Sequence, residues 1–152
     1  MQLAKELMQE AIVVDPDLPV VGLARRLLGQ KADGACVLKD GKLVGVVTTM
    51  DLVFQEKNPH IPHFLTIMDS IIPLEAPQKV KKELEKIAGM FVKDIMTEDP
   101  IIVSPETKVS DIATTMVEKH ITLLPVLDGE LLLGVITKSD VIRAAFHLEA
   151  GE

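Results

Sequence analysis

The sequence contains almost no aromatic residues: four Phe, no Trp and no Tyr, or 3% of 152 residues. Proteins that bind single-stranded nucleic acid usually stack the bases on aromatic side chains and attract the phosphates with positive charge. This chain has a formal net charge of −7, so charge and composition both argue against nucleic-acid binding. Any flat ligand has to lie between aliphatic side chains and backbone.

The sequence also contains only one cysteine, Cys36, and no long apolar run. One thiol forms neither an internal disulfide nor a cysteine-based zinc site, which favours a reducing compartment. The longest apolar runs have strand length, far below the roughly 18 residues that a membrane helix needs. Lys5 and Glu6 interrupt the first residues, where a signal peptide has an apolar core. We therefore expect a cytoplasmic protein without membrane attachment or metal.

An internal repeat organises the chain. Residues 12–53 align without a gap with residues 101–142, and 12 of the 42 positions are identical. The identities include the string Gly-x-x-Thr-x-x-Asp that ends each copy. A chain of this length has room for one ordinary domain, so the copies are halves of one module. We predict a first repeat over 1–53, a connector over 54–91 and a second repeat over 92–152.

Each copy predicts the element order β-α-β-β-α. In the second copy, Asp128-Gly129 is a favoured hairpin dipeptide between two apolar runs, and apolar residues at helical spacing follow position 109. The predicted elements of this copy are a strand at 100–103, a helix at 109–117, strands at 123–127 and 131–136, and a helix at 139–146.

The connector begins with a proline-rich stretch and then shows helical periodicity. Residues 79–90 place Val80, Leu84 and Ile87 on one face, which predicts an amphipathic helix. That helix either packs on the module or docks a partner protein.

Three strings of the second copy, in this order, carry a family resemblance. They are Asp-Ile-Met-Thr at 94–97, Leu-Pro-Val-Leu-Asp at 124–128 and Gly-Val-Ile-Thr-Lys-Ser-Asp at 134–140. The chain resembles a pair of cystathionine β-synthase (CBS) domains. The first copy departs from the pattern in two places: no Thr follows Leu7-Met8, and Cys36 stands where the family usually has Pro.

This resemblance implies an α/β (α+β) fold in which two β-α-β-β-α repeats pack with pseudo-twofold symmetry and enclose two clefts. It further implies a homodimer that binds an adenosine-containing ligand such as AMP, ADP, ATP or S-adenosylmethionine, with no required cofactor. Such modules are regulatory and signal to a protein partner. A ligand-independent dimeric interaction scaffold is the alternative. An enzyme is not supported, because the sequence contains no recognisable nucleophile–base pair or metal cluster.

The Thr-x-x-Asp strings are the candidate ligand sites. A carboxylate can accept two hydrogen bonds from a ribose diol, although Thr and Asp at this spacing also form a capping box at a helix start. Carried over from the family, the second site consists of Pro100, Ile101, Thr122, Leu123, Pro125, Thr137, Lys138, Ser139 and Asp140. The first consists of Ala11, Ile12, Gly34, Cys36, Thr48 and Asp51.

We expect the two sites to differ in their affinity for phosphate. Where family members often have a basic or polar residue, three positions before the strand Pro, the second copy has Thr122 and the first has Asp33. A carboxylate repels phosphate at close range, whereas Lys138 and His120 add positive charge to the second copy. The sequence therefore predicts that the site with Asp140 is the better nucleotide site.

Overall fold

The computed structural model of this chain describes residues 2–53 and 89–149. The first part contains helix α1 (Ala4–Leu7), strand β1 (Val13–Val14), helix α2 (Val20–Gly29), strands β2 (Gly34–Lys39) and β3 (Lys42–Thr48), and helix α3 (Thr49–Val53). The second part contains helix α4 (Val92–Ile95), strand β4 (Thr97–Glu98), helix α5 (Val109–Lys119), strands β5 (Leu123–Asp128) and β6 (Leu131–Thr137), and helix α6 (Lys138–Phe146). Most of the expected connector, with its amphipathic helix, lies outside the described residues.

A β-hairpin forms the centre of each repeat. Strands β2 and β3 are antiparallel and turn at Asp40 and Gly41, whose φ angles of 52° and 77° are those of a type I′ turn. Strands β5 and β6 turn one position later than the sequence indicates, because Asp128 still pairs with Leu131. In both hairpins the first strand is buried over its first four residues, as expected for a strand rich in Val and Leu.

The sheet of each repeat is completed by the chain segment that leads into the other repeat. Strands β1 to β4 form one sheet in sequence order, and β4, which leads into the second repeat, is antiparallel to β3 of the first. In the second repeat, Gln9 forms an antiparallel bridge with Val135 of β6, and Val103 forms a parallel bridge with Val126 of β5. The segments that lead into the two repeats, one containing Gln9 and the other containing β4, are therefore exchanged between the repeats. We refer to them as the exchanged segments.

The short helices α1 and α4 lie in these exchanged segments and anchor them. The Ala4 amide donates to the Thr107 carbonyl at 2.8 Å, and the Val92 amide donates to the Leu18 carbonyl at 2.9 Å. Both Ala4 and Val92 are completely buried, each in the apolar core of the opposite repeat. Neither repeat has a complete core without the other.

A third apolar cluster joins the two hairpins at the centre of the molecule. It consists of Cys36, Val46, Leu123 and Val135, two residues from each repeat. Because this cluster is built from the inner faces of both hairpins, the ends of β3 and β6 are held close to the opposite repeat. The two Thr-x-x-Asp strings begin at those strand ends.

The exchanged segments explain the glycines before each Thr-x-x-Asp string. A Cβ on Gly134 would lie 2.5 Å from the Gln9 carbonyl oxygen, and a Cβ on Gly45 would lie 2.8 Å from that of Thr97. Distances this short are repulsive, and a backbone atom has little freedom to move. At both glycines the approaching group is the exchanged backbone.

Gly134→Ala should therefore destabilise the fold, lowering the free energy of unfolding by about 1–3 kcal/mol in urea denaturation. Gly29→Ala is the matched control, because nothing lies within 4 Å of a Cβ at Gly29 and alanine restricts the unfolded chain. The control should be neutral or slightly stabilising. Equal stabilities of the two variants would contradict the close packing at Gly134.

Candidate functional site

The Thr-x-x-Asp string of the second repeat caps helix α6. The backbone amide and the hydroxyl of Thr137 donate to Asp140 Oδ2 at 2.8 and 2.9 Å, and the Asp140 amide faces Thr137 Oγ1 at 3.4 Å. These contacts form the capping box that the spacing allows. Both side chains are buried.

The Asp140 carboxylate has two further donors. Gln9 Nε2 donates to Oδ2 at 3.0 Å, and Arg143 Nη1 donates to Oδ1 at 3.3 Å. A carboxylate offers about four acceptor positions, two on each oxygen. Here three donors converge on Oδ2, and Arg143 takes one position on Oδ1.

The Asp51 carboxylate of the first repeat has fewer partners. The Thr48 amide and hydroxyl donate to Asp51 Oδ2 at 2.7 and 3.3 Å, and no other described residue donates to this carboxylate. The described residues thus leave about two of its four acceptor positions open. Partial burial raises the pKa of Asp51 above its ordinary value, an effect that the bonds from Thr48 partly offset.

Asp51 lines a cavity of about 500 Å³ between the repeats. Ligand pockets commonly have volumes of about 300–1,000 Å³. The first repeat contributes Thr48, Asp51, Val46 and Met50, and the second contributes Thr97, Asp99, Pro100, Ile101, Lys119, His120, Ile121, Thr122 and Leu123. We refer to it as the Asp51 cavity.

A second cavity, of about 310 Å³, lies beside the end of β6. We refer to it as the Thr137 cavity. Its lining includes Gln9, Glu10, Ile12, Lys31, Asp33 and Gly34 from the first repeat and Leu123, Thr137, Ser139 and Arg143 from the second. Asp140 is absent from this lining, whereas Gln9 and Arg143, which donate to its carboxylate, belong to it.

The structure groups the site residues differently from the sequence prediction. Thr48 and Asp51 share a cavity with Pro100, Ile101 and Thr122, which were expected beside Asp140. The exchanged segments are the physical reason. Since β4 pairs with β3, the residues that follow β4 are brought to the Thr-x-x-Asp string of the first repeat.

The same exchange applies to the other cavity. Ile12 and Gly34, expected beside Asp51, line the Thr137 cavity with Thr137 and Ser139. Ile12 follows the exchanged residue Gln9, which pairs with β6.

Five of the predicted residues line neither cavity, and Asp140 is one of them. Cys36 and Pro125, at equivalent positions of the middle strands, are completely buried, and Ala11 packs against the central cluster. Burial raises the pKa of the Cys36 thiol to about 12, so this thiol stays protonated and unreactive at neutral pH. Lys138 is exposed at the start of α6, where its backbone amide donates to the Thr122 carbonyl.

Sequence reasoning missed Gln9, Thr97 and Arg143 as site residues. Gln9 and Thr97 occupy equivalent positions, since each directly follows a helix-ending Met of an exchanged segment. The missing Thr after Leu7-Met8 was visible as a departure from the family pattern and marks Gln9. The signal for Arg143 is its i,i+3 spacing from Asp140 within the helix predicted at 139–146, a spacing at which opposite charges meet.

Metal and membrane signals are absent from the described part of the chain. Within residues 2–53 and 89–149, no group of three or more His, Cys, Asp or Glu side chains could hold a metal ion. No helix in those residues has both the length and the apolar character needed to cross a bilayer.

Comparison with known proteins identifies the family. The CBS domain model matches residues 4–57 and 92–147, which agrees with the two repeats and with their β-α-β-β-α order. The chain belongs to the CBS domain family, and its two matches make it a CBS pair.

Individual relatives agree in sequence and in fold. An uncharacterized protein of Methanocaldococcus jannaschii, MJ1426, is 33% identical over 153 residues, which cover 93% of this chain and 90% of the relative. The chloroplastic protein CBSX2 of Arabidopsis thaliana is 29% identical over 93% of this chain, which spans only 61% of that relative.

Solved structures share the architecture. A crystal structure of CBSX2 in complex with AMP has a TM-score of 0.70 at 27% identity and covers 97% of this chain and 98% of its own. The CBS domain structure of NE2398 has a TM-score of 0.73 at 23% identity, over 96% of this chain and 99% of its own.

The two aspartates should differ in their contribution to stability. Asp140→Ala removes the acceptor of the buried Thr137 amide and hydroxyl and the bonds from Gln9 and Arg143, so the free energy of unfolding should fall by about 1–3 kcal/mol. Asp51→Ala removes only the two bonds from Thr48, which is less buried, and should cost less. Urea denaturation of both variants measures the difference, and equal losses would contradict the larger structural role of Asp140.

Proposed function

We propose that this protein is a regulatory CBS-pair module that binds an adenosine-containing ligand, such as AMP, ADP, ATP or S-adenosylmethionine, in the Asp51 cavity. The observation that carries the proposal is the half-occupied Asp51 carboxylate at the edge of a cavity of about 500 Å³. The complex of the related CBSX2 with AMP supports the ligand class.

Ribose recognition follows from the hydrogen-bond count at Asp51. A vicinal diol donates two hydrogen bonds, and about two acceptor positions of Asp51 are free. A hydrogen bond to a charged group contributes about 1.5–3 kcal/mol. At Asp140, Oδ2 already accepts from three groups and Oδ1 from Arg143, so we place the better nucleotide site at Asp51, the reverse of the order expected from the sequence.

The remaining lining suits the other two parts of such a ligand. Pro100, Ile101 and Leu123 offer aliphatic surfaces for an adenine ring, and Ile101 is 40% exposed and thus available for burial by a ligand. Lys119 and His120 lie on the same cavity and can donate to a phosphate or other anionic group.

Occupancy of this cavity would couple the two repeats. The diol would be bound by Asp51 of the first repeat and the ring by residues of the second, so a bound ligand favours one relative position of the repeats. We propose that the protein is a cytoplasmic homodimer and that the ligand-favoured position of the repeats alters its contact with a regulated protein partner.

One observation favours a different function. Both Thr-x-x-Asp strings make the hydrogen bonds of a helix cap, so capping alone explains their presence. A dimeric interaction scaffold without a ligand would need no more than this. The two functions differ in whether any adenosine-containing compound stabilises the fold.

AMP should raise the melting temperature of the wild-type protein, since a ligand at 100 times its Kd stabilises by about 2.7 kcal/mol. In isothermal titration calorimetry, 2′-deoxy-AMP should bind at least about tenfold more weakly, because one bond to Asp51 is lost. Asp51→Asn should weaken AMP binding similarly. Asp111→Asn is the matched control, because it removes the same charge from an exposed position of α5 that lines neither cavity.

The scaffold would be favoured, and the ligand proposal overturned, if millimolar AMP, ADP, ATP and S-adenosylmethionine all left the melting temperature unchanged. Equal affinities for AMP and 2′-deoxy-AMP would show that the ribose 2′-hydroxyl does not bond to Asp51.

Binding should also weaken on acidification. Burial raises the pKa of Asp51, so protonation, which removes acceptor positions, begins at a higher pH than for an ordinary aspartate. Adenosine serves as the probe because it has no titrating phosphate. Asp99 and His120 line the same cavity, so the contribution of Asp51 is the part of the pH dependence that Asp51→Asn abolishes. If Asp51→Asn showed the same pH profile as the wild type, titration of Asp51 would not be the cause of the weaker binding.

A further inference from the structure

Gln9 and Thr97 hold equivalent backbone positions against the opposite repeat. Gln9 exchanges backbone hydrogen bonds of 2.9 Å with Val135 in both directions, and Thr97 pairs with Val46 at the equivalent place in β3. Each carbonyl oxygen also lies against the glycine that precedes its partner. The side chains of Gln9 and Thr97 thus start from matching points beside Asp140 and Asp51.

The two side chains differ in reach. The Gln9 amide extends to Asp140 Oδ2 at 3.0 Å, whereas no hydrogen bond joins the shorter Thr97 side chain to Asp51 in the described residues. Thr97 and Asp51 both line the Asp51 cavity, whereas Gln9 lines the Thr137 cavity and Asp140 does not.

We propose that Gln9 is the residue that closes the Thr137 cavity to adenosine-containing ligands, so that the module has one ligand site instead of two. The inference rests on the function proposed for the Asp51 cavity. The Gln9 amide and the two Thr137 donors occupy Oδ2, and Arg143 takes one of the two positions on Oδ1. A ribose diol that bonds both carboxylate oxygens has to displace the Gln9 amide from Oδ2.

The side chain of Gln9 can be changed without loss of the exchanged segment. Its backbone amide and carbonyl make the bonds to Val135, and these bonds do not depend on the side chain. Threonine suits an extended backbone and is the residue found at position 97. Gln9→Thr and Thr97→Gln therefore form a matched pair of variants.

The experiment is calorimetric titration with AMP, with urea denaturation to verify that each variant folds. We expect one site per chain for the wild type and two for Gln9→Thr. Thr97→Gln should bring an amide to Asp51 and weaken AMP binding at that site at least tenfold. Gln30→Thr is the control, because Gln30 lines the Thr137 cavity but makes no hydrogen bond to Asp140.

The outcomes separate the two proposals. Two equal sites in the wild type, or one site in Gln9→Thr, would overturn the role of Gln9 and leave the Asp51 site standing. Binding by Gln9→Thr but not by the wild type would support the role of Gln9 and overturn the Asp51 site. No binding by either protein would overturn both.

Discussion

The exchange of leading segments between the repeats is the constraint on which the rest of the structure depends. Gln9 pairs with the last strand of the second repeat, and Thr97 pairs with the last strand of the first. Helices α1 and α4 fill the core of the opposite repeat with Ala4 and Val92. Because these contacts lie at the strand ends where Thr-x-x-Asp begins, they determine which side chains surround each carboxylate.

The two copies of the Thr-x-x-Asp string differ in the hydrogen bonds that their carboxylates accept. Asp51 and Asp140 have the same place in the repeat and the same bonds to the preceding threonine. What differs is the number of additional donors, none at Asp51 from the described residues and two at Asp140. Hydrogen bonds to a charged group contribute about 1.5–3 kcal/mol each, so this difference in donors gives the two carboxylates different environments.

The repeat, the element order and the hairpins could be predicted because their signals can be read directly from the sequence. The repeat shows as 12 identical residues at one constant offset, the helices as helical spacing of apolar residues, and the hairpins as turn dipeptides. The grouping of site residues could not. The partner of Gln9 lies 126 positions away at Val135 (135 minus 9), and no periodicity encodes such a pairing. Residues were therefore assigned to the Asp of their own copy, whereas the structure places Pro100 and Ile101 beside Asp51.

The electrostatic prediction was limited for a related reason. It compared Thr122 with Asp33 in isolation, but a carboxylate in a folded protein is defined by its donors. The Asp140 carboxylate accepts from a glutamine and an arginine that this comparison did not include. Comparison of the two copies did show that the first lacks the Thr that the second has at 97.

The exchanged segments have a consequence for the independence of the two halves. Half of the molecule cut out of the chain would carry a leading segment that belongs to the other half and would expose the edge of its own last strand. An exposed strand edge pairs readily with another chain, and the complementary segment of a second copy is the natural occupant. Two molecules could therefore swap their exchanged segments reciprocally. The swapped dimer would need no new contact, since each of its contacts already exists within one chain.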